Sequence, residues 1–155
     1  MDDVRIAIDD PRALDVQTML ERHLAFAQRN TPPEGVHALS LDGLLDPTVT
    51  VFSARRGGQL VAIGALKELH EGHAELKSIH TDLAARRQGI GRAMVDHLLG
   101  VARRRGYRQV SLETGTMDAF SPARALYANA GFIESGPFGQ YQVSPTSAFM
   151  TLIFS

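Results

Sequence analysis

The spacing of hydrophobic positions changes several times along the chain, and each change marks a new element. Leu14, Met19, Leu20, His23, Leu24 and Ala27 recur at helical spacing after Asp10-Pro11, which predicts a first helix starting at that dipeptide. Thr31-Pro32-Pro33-Glu34-Gly35 breaks it, and a short second helix over 40–45 ends before Asp46-Pro47. The period then becomes that of a strand. VTVFSAR (49–55), Gly57-Gly58 and QLVAIGALKEL (59–69) read as a β-hairpin, whose second strand is apolar on both faces and therefore central. His70-Glu71-Gly72 makes a second turn into HAELKSIHT (73–81), a third strand. Beyond it Ile90, Ala93, Met94, Leu98 and Val101 fall on one helical stripe, closed by Arg103, Arg104, Arg105 and Gly106. QVSLET (109–114) is the next strand, and SPARALYANAG (121–131) a helix with Ser121 as cap and Pro122 at its first position. Phe132 returns the chain to extended structure, and SAFMTLIFS reads as a terminal strand.

An antiparallel meander that enters a strand–helix–strand unit, with helices outside, makes this an α+β (mixed α/β) fold. No repeat, low-complexity tract or linker divides the 155 residues, so one domain over 1–155 is expected, and a 44% hydrophobic content is enough to bury its core. Sixteen Lys and Arg against seventeen Asp and Glu leave a formal charge of −1, which gives no electrostatic reason to expect nucleic acid or an anionic membrane as partner. Cys is absent, which excludes disulfides, thiolate nucleophiles and Cys-based zinc sites, and the six His form no H-x-x-x-H pair; no metal is expected. The acidic start MDDVRIAIDD lacks an apolar leader core, and LVAIGAL (60–66) is too short to span a bilayer. A soluble cytoplasmic protein, monomer or homodimer, is the expectation.

ARRQGIGRA (85–93) is where the pattern points to chemistry. The first N–H groups of a helix lack intrahelical partners and carry partial positive charge, so they bind phosphate where no side chain holds it off. Gly89 and Gly91 remove that obstacle directly before a helix, Ile90 between them anchors it, and Arg86, Arg87 and Arg92 add charge at the rim. Two rival phosphate motifs fail on spacing. No G-x-x-x-x-G-K-[ST] occurs, and Met94 occupies the third glycine position of a dinucleotide fingerprint.

Arg86-Arg87-Gln88-Gly89-Ile90-Gly91 resembles the [RQ]-x-x-G-x-[GA] turn of the GCN5-related N-acetyltransferases (GNAT superfamily). Ala123-Arg124-Ala125-Leu126-Tyr127, followed by Gly131-Phe132, resembles that superfamily's second hallmark at the usual separation. The likeness covers nearly the whole chain, and TPPEGVHALSLDGL, GALKEL, SLETGTMDAFSPARALY and GPFGQY are similar to a bacterial small-molecule branch. It implies a mostly antiparallel, twisted sheet of six to seven strands with about four helices, and acetyl-CoA as co-substrate. By the same resemblance the turn from Arg86 through Gln88 and Ile90 to Arg92 and Ala93 holds the pyrophosphate. Residues Ile79, His80 and Thr81 bind the pantetheine, and the thioester lies where that strand splays from 109–114. Arg124 is a candidate for a CoA-phosphate contact, with a surface ion pair as the alternative. Phe120 stands where many relatives carry an Asn that contacts the cofactor, and Leu83 where a proline is common.

Acetyl transfer to an amine requires a neutral nitrogen, stabilisation of charge on the thioester oxygen, and a proton for the departing thiolate. The resemblance places the Tyr127 hydroxyl near the sulfur as general acid and a backbone N–H of 73–81 at the oxygen. For the base, Glu75 and Glu113 on neighbouring strands stand nearly equal, with Lys77 a ready partner for Glu75; His80 is a third candidate. His97 falls in the apolar stripe of its helix, as a packed histidine would. The family builds its acceptor pocket from the first two helices and the late hairpin, here His37, Phe138, Tyr141 and the TPPEG loop, whose mixed aromatic and polar character suits a small amine. Three activities follow: an acetyl-CoA-dependent N-acetyltransferase acting on a small amine, a non-catalytic acyl-CoA-binding module, and a protein acetyltransferase.

Overall fold

A computed structural model describes residues 3–37 and 39–155. Among these residues, seven strands form one sheet in the order β1-β2-β3-β4-β5-β7-β6. They are β1 (Val4–Ile8), β2 (Val49–Arg56), β3 (Gln59–His70), β4 (His73–Thr81), β5 (Gln109–Gly115), β6 (Ile133–Ser135) and β7 (Ser147–Ile153). Four α-helices among the described residues flank it: α1 (Leu14–Asn30), α2 (Leu41–Leu44), α3 (Ile90–Arg104) and α4 (Ser121–Asn129). Every neighbouring pair is antiparallel except β4 and β5, which are joined by the crossover through α3 and run parallel. This is the α+β architecture that the patterning predicts.

Three details differ from the pattern-based reading. The chain begins with an edge strand, β1, paired antiparallel to β2 from Val4↔Arg56 to Ile8↔Phe52. Helix α1 starts at Leu14 rather than at Asp10-Pro11, because the Asp10 carboxylate turns the chain first by accepting the Arg12 N–H at 2.9 Å. At α4 the cap position is Phe120 and no side chain caps the helix; Ser121 is its first residue, not its cap.

Strand alternation sends the two faces of the sheet to different cores. Ala74, Leu76, Val110 and Leu112 pack with Met94, Val95 and Leu98 of α3 and with Tyr127 of α4. Ile63, Ala65 and Val51 pack on the other face with Val16, Met19 and Leu20 of α1 and Leu44 of α2. Glu75 and Lys77 on β4, and Glu113 on β5, therefore emerge on the α1 face.

The pairing of β4 with β5 stops at Leu76↔Leu112. Beyond that rung β4 stays with β3 and β5 stays with β7, so the two central strands part. β4 also bulges there: the register steps from Ala65↔Lys77 to Ile63↔His80, three residues against two. Ser78 in the bulge is left-handed, at φ 56°, an uncommon conformation for a residue with a Cβ.

Candidate active site

The parting strands open a cavity of about 570 Å³ that runs from the α3 N-terminus to the α1 face. At its first end Gly89, at φ 79°, is the cap of α3, and no side chain satisfies the helix end. Ala93 is the first residue whose N–H bonds within the helix, to Gly89 O at 3.0 Å. The N–H groups of Ile90, Gly91 and Arg92 are thus left at the helix end, where nothing lies within 4 Å of a Cβ built on Gly89. A diphosphate fits this cradle. Arg86 lines it while donating from Nε to Thr81 O at 3.2 Å, and its guanidinium lies over the Phe26 ring, 5.9 Å from the centroid.

The far wall is made of side chains. Glu75 is 3% exposed; its Oε2 accepts from Tyr141 O–H at 2.6 Å and from Lys77 Nζ at 3.2 Å, and Lys77 also donates to the Tyr141 oxygen at 2.8 Å. The partner expected for Glu75 is present, closed by a tyrosine from the β6–β7 loop. That tyrosine is itself wedged among His37, Phe138 and Phe149, with ring centroids 5.1, 5.0 and 5.6 Å away. Glu113 lines the same cavity but enters no ion pair among the described residues. Burial pushes its carboxyl above the ordinary glutamate range. The Ser147 hydroxyl, which makes no geometrically sound hydrogen bond to it, and the charges of His37 and Lys77 pull in the opposite direction.

Tyr127 is buried on the other side of the split, its ring edge against Phe132 at 6.1 Å. Burial, and then the Glu113 charge, raise its pKa above the usual tyrosine value, so the hydroxyl keeps its proton. His80 and His23 meet across the cavity wall, Nδ1 to Nδ1 at 3.2 Å, one donating and one accepting. Burial pushes both to about 4. His80 is therefore neutral at pH 7 but a weak base, which removes its attraction as the proton acceptor.

Of the residues singled out from sequence, Glu75, Glu113, Ile79, His80, Thr81, Arg86, Arg87, Gly89, Ile90, Gly91, Phe120, Tyr127 and His37 line the cavity. Gln88, Arg92, Ala93, Arg124, Phe138 and Tyr141 do not. Arg92 turns to Asp96 one helical turn on, at 3.0 Å, and Ala93 is exposed on the outer face of α3. Arg124, expected at a phosphate, instead donates to Gly115 O at 2.6 Å and Met117 O at 3.1 Å and pins the β5–α4 loop. That loop folds so tightly that a Cβ on Gly115 would collide with the Phe120 ring. Phe120 then reaches over the split to Phe26 of α1, 5.3 Å between centroids. Phe26, Val36 and the His23–His80 contact were not assigned to the site from sequence. The helical spacing of α1 marks a buried stripe but not which cavity it borders. His97 packs on Phe52 at 5.6 Å, as its position in the stripe predicts.

The sequence pattern of the Acetyltransferase (GNAT) family matches residues 16–132. The chain belongs to that family. It is 41% identical over 148 residues to YsnE, an uncharacterised N-acetyltransferase of Bacillus subtilis, covering 96% of this chain and 98% of YsnE. It is 34% identical over 151 residues to an IAA acetyltransferase of Azospirillum brasilense, covering 97% of each. Among solved structures, a GNAT acetyltransferase from Elizabethkingia anophelis with acetyl-CoA bound shares the fold at a TM-score of 0.72 and 15% identity, covering 99% of this chain and 100% of that one. Membership makes the protein an acetyl-CoA-dependent acetyltransferase. None of its helices, among the described residues, is long and apolar enough to cross a membrane.

Proposed function

We propose that residues 1–155 form one N-acetyltransferase domain that moves the acetyl group of acetyl-CoA directly onto a primary amine of a small molecule. The observation that carries this reading is the parting of β4 from β5, which joins a helix end with unpartnered N–H groups to an unpaired carboxylate and a buried tyrosine hydroxyl through one cavity. Backbone N–H groups at 90–92 and the Arg86 guanidinium hold the diphosphate, and the free edge of β4 over 79–81 orients the pantetheine. Bound there, acetyl-CoA supplies an activated carbonyl.

The residues divide the proton work. Glu113 takes a proton from the acceptor nitrogen, which then forms its C–N bond as the C–S bond breaks. A β4 N–H at the bulge answers the charge that develops on the thioester oxygen. Tyr127 O–H protonates the departing sulfur, and the second proton that the nitrogen gives up on becoming an amide restores the tyrosine. Glu113 is favoured over Glu75 as the base because the Glu75 carboxylate already accepts from Lys77 and Tyr141, whereas Glu113 is unpaired and its raised pKa brings it closer to neutrality. The role of Glu75 is then to fix Lys77 and the Tyr141 loop.

Thiol release from acetyl-CoA, followed over a broad panel of amines, tests the reading. Turnover with at least one small amine is expected. Binding of acetyl-CoA with no thiol release from any amine or protein would favour a cofactor-sensing module instead, and release with proteins alone would favour a protein acetyltransferase.

A further inference from the structure

The far end of the cavity, which is the acceptor end on the reading above, carries a charge imbalance. It presents two carboxylates, Glu75 and Glu113, and one lysine. Lys77 is 8% exposed at its side chain and committed to Glu75 and to Tyr141. Drawing it toward a ligand carboxylate would strand the buried Glu75 charge without a counter-ion, an arrangement buried carboxylates avoid. His23 and His80 occupy each other and stay neutral. Arg86 and Arg87 belong to the turn at the opposite end, and His37 is an exposed rim residue packed edge-on against Tyr141. Among the described residues, one carboxylate, Glu113, is therefore available to a ligand, and no buried cation is. The wall contributed by α1 and the following turn is largely apolar, through Phe26, Ala27 and Val36, with Phe26 lying toward Arg86 and Val36 next to the His37 rim.

We infer that the acceptor is an amine carried on an apolar or aromatic body with no carboxylate next to the nitrogen, and that α-amino acids are excluded by charge. An ammonium meets Glu113 as a counter-ion and gives it a proton, and its body runs from there along the apolar wall that starts at Val36. A carboxylate one carbon from that nitrogen would sit between Glu113 and Glu75 with nothing to neutralise it, and like charges brought together in a site of low polarity discriminate strongly. The inference rests on the acetyltransferase reading and narrows its substrate class.

Matched pairs test it, because each amino acid and its decarboxylated amine share one body: phenylalanine and phenethylamine, tyrosine and tyramine, norvaline and butylamine. Phenylalaninamide keeps the bulk of the carboxyl group without its charge. The expected result is that kcat/KM for at least one amine exceeds that of its amino acid by about 100-fold or more, with the amide close to the amine. Glu75→Gln releases Lys77 and should narrow that ratio at least about tenfold by admitting the carboxylate. Amino acids that match or beat their amines overturn the inference while leaving the acetyltransferase reading in place. An amide as poor as the amino acid overturns it too, by showing that size and not charge excludes. Acetyl-CoA binding with no turnover of any pair member overturns the catalytic reading and the inference together. Should Glu75→Gln not fold, as judged by circular dichroism, the wild-type ratios and the amide decide alone.

Discussion

At one end of the cavity the groups that face a ligand are backbone N–H groups of three consecutive residues, Ile90, Gly91 and Arg92. At the other they are side chains drawn from separate strands, Glu75 and Lys77 from β4 and Glu113 from β5, with Glu75 and Lys77 held from behind by Tyr141 of a distant loop. The first end depends on local geometry and on the absence of side chains; the second depends on how charges pair after the chain has folded. The two should fail in different ways. Damage to the turn costs cofactor affinity and spares the fold, whereas damage to the far end costs chemistry or stability and spares cofactor affinity.

The largest effect is expected from Gly91→Glu, which puts a negative side chain at the diphosphate cradle. A Cβ at Gly91 meets only Leu126 at 3.4 Å and Thr81 at 3.5 Å, ordinary contacts, and its φ is not positive, so the protein should fold normally. Calorimetric titration should show CoA binding abolished. A folded variant with unchanged affinity would remove the turn from the cofactor site. Next in size is Tyr127→Phe, which keeps a buried ring and its packing on Phe132 while deleting the proposed acid. Its kcat should fall by roughly 10²–10⁴ with cofactor affinity unchanged. An unaltered kcat would make Tyr127 a packing residue and leave the departing sulfur without its proposed proton donor.

The two carboxylates at that end should separate. Glu75→Gln breaks a buried ion pair and should lower stability by about 3 kcal/mol, or roughly 6–12 °C in Tm for a protein of this size. Glu113→Gln removes an unpaired, half-buried carboxylate, so Tm should hold or rise while kcat falls. In the wild type the acid limb of the rate profile should lie above the ordinary glutamate range, because the base is lost as pH falls through a raised pKa. Reversed outcomes, with Glu75→Gln inactive but stable, would exchange their roles.

The contrast also explains what could be read from the amino-acid order. The glycine turn and the strand–helix–strand unit around it are local, and they stand where the patterning puts them. Edge strand β1 was not legible: five residues, VRIAI, paired on one side only, carry too little alternation to announce a strand before β2 is in place. The Glu75–Tyr141 bond joins residues 66 apart, and the His23–His80 contact residues 57 apart. Strand spacing supplied Lys77 as a partner for Glu75, but no spacing could rank Glu75 against Glu113, because the difference lies in which one the late loop reaches. Arg124 shows the converse. Its motif position suggested a phosphate, and two carbonyls of the preceding loop claim it instead.

The histidine pair gives a smaller test of the wall between the two ends. With folded pKa values of about 4 against 6.5 unfolded, the unfolded chain binds protons first as pH falls, so stability is intact above about 6.5 and declines toward 4. The loss between pH 7 and 5 should be on the order of 2 kcal/mol per histidine. Thermal unfolding of the His23→Gln, His80→Gln double variant should be flatter over that interval. An equally steep decline would assign the acid sensitivity to other groups.

The smallest effect separates two arginines of one turn. Arg86 lines the cavity with its guanidinium over Phe26, whereas Arg92 lies outside it and is matched by Asp96. An exposed guanidinium that makes a charge-assisted hydrogen bond to phosphate contributes about 1–3 kcal/mol to binding, and screening by salt reduces it. Arg86→Ala should therefore weaken CoA by roughly tenfold to a hundredfold at low salt, and by less as salt is added. Arg92→Ala should leave affinity nearly unchanged, because its removal takes away only an exposed i, i+4 pair worth a few tenths of a kcal/mol. Neither should move kcat at saturating cofactor. If both variants bind CoA as the wild type does, the backbone N–H groups hold the diphosphate unaided and the comparison between the ends becomes sharper. If Arg92→Ala is the weaker binder, its ion pair with Asp96 opens when CoA arrives, and the arginine that serves the diphosphate is the one on the helix.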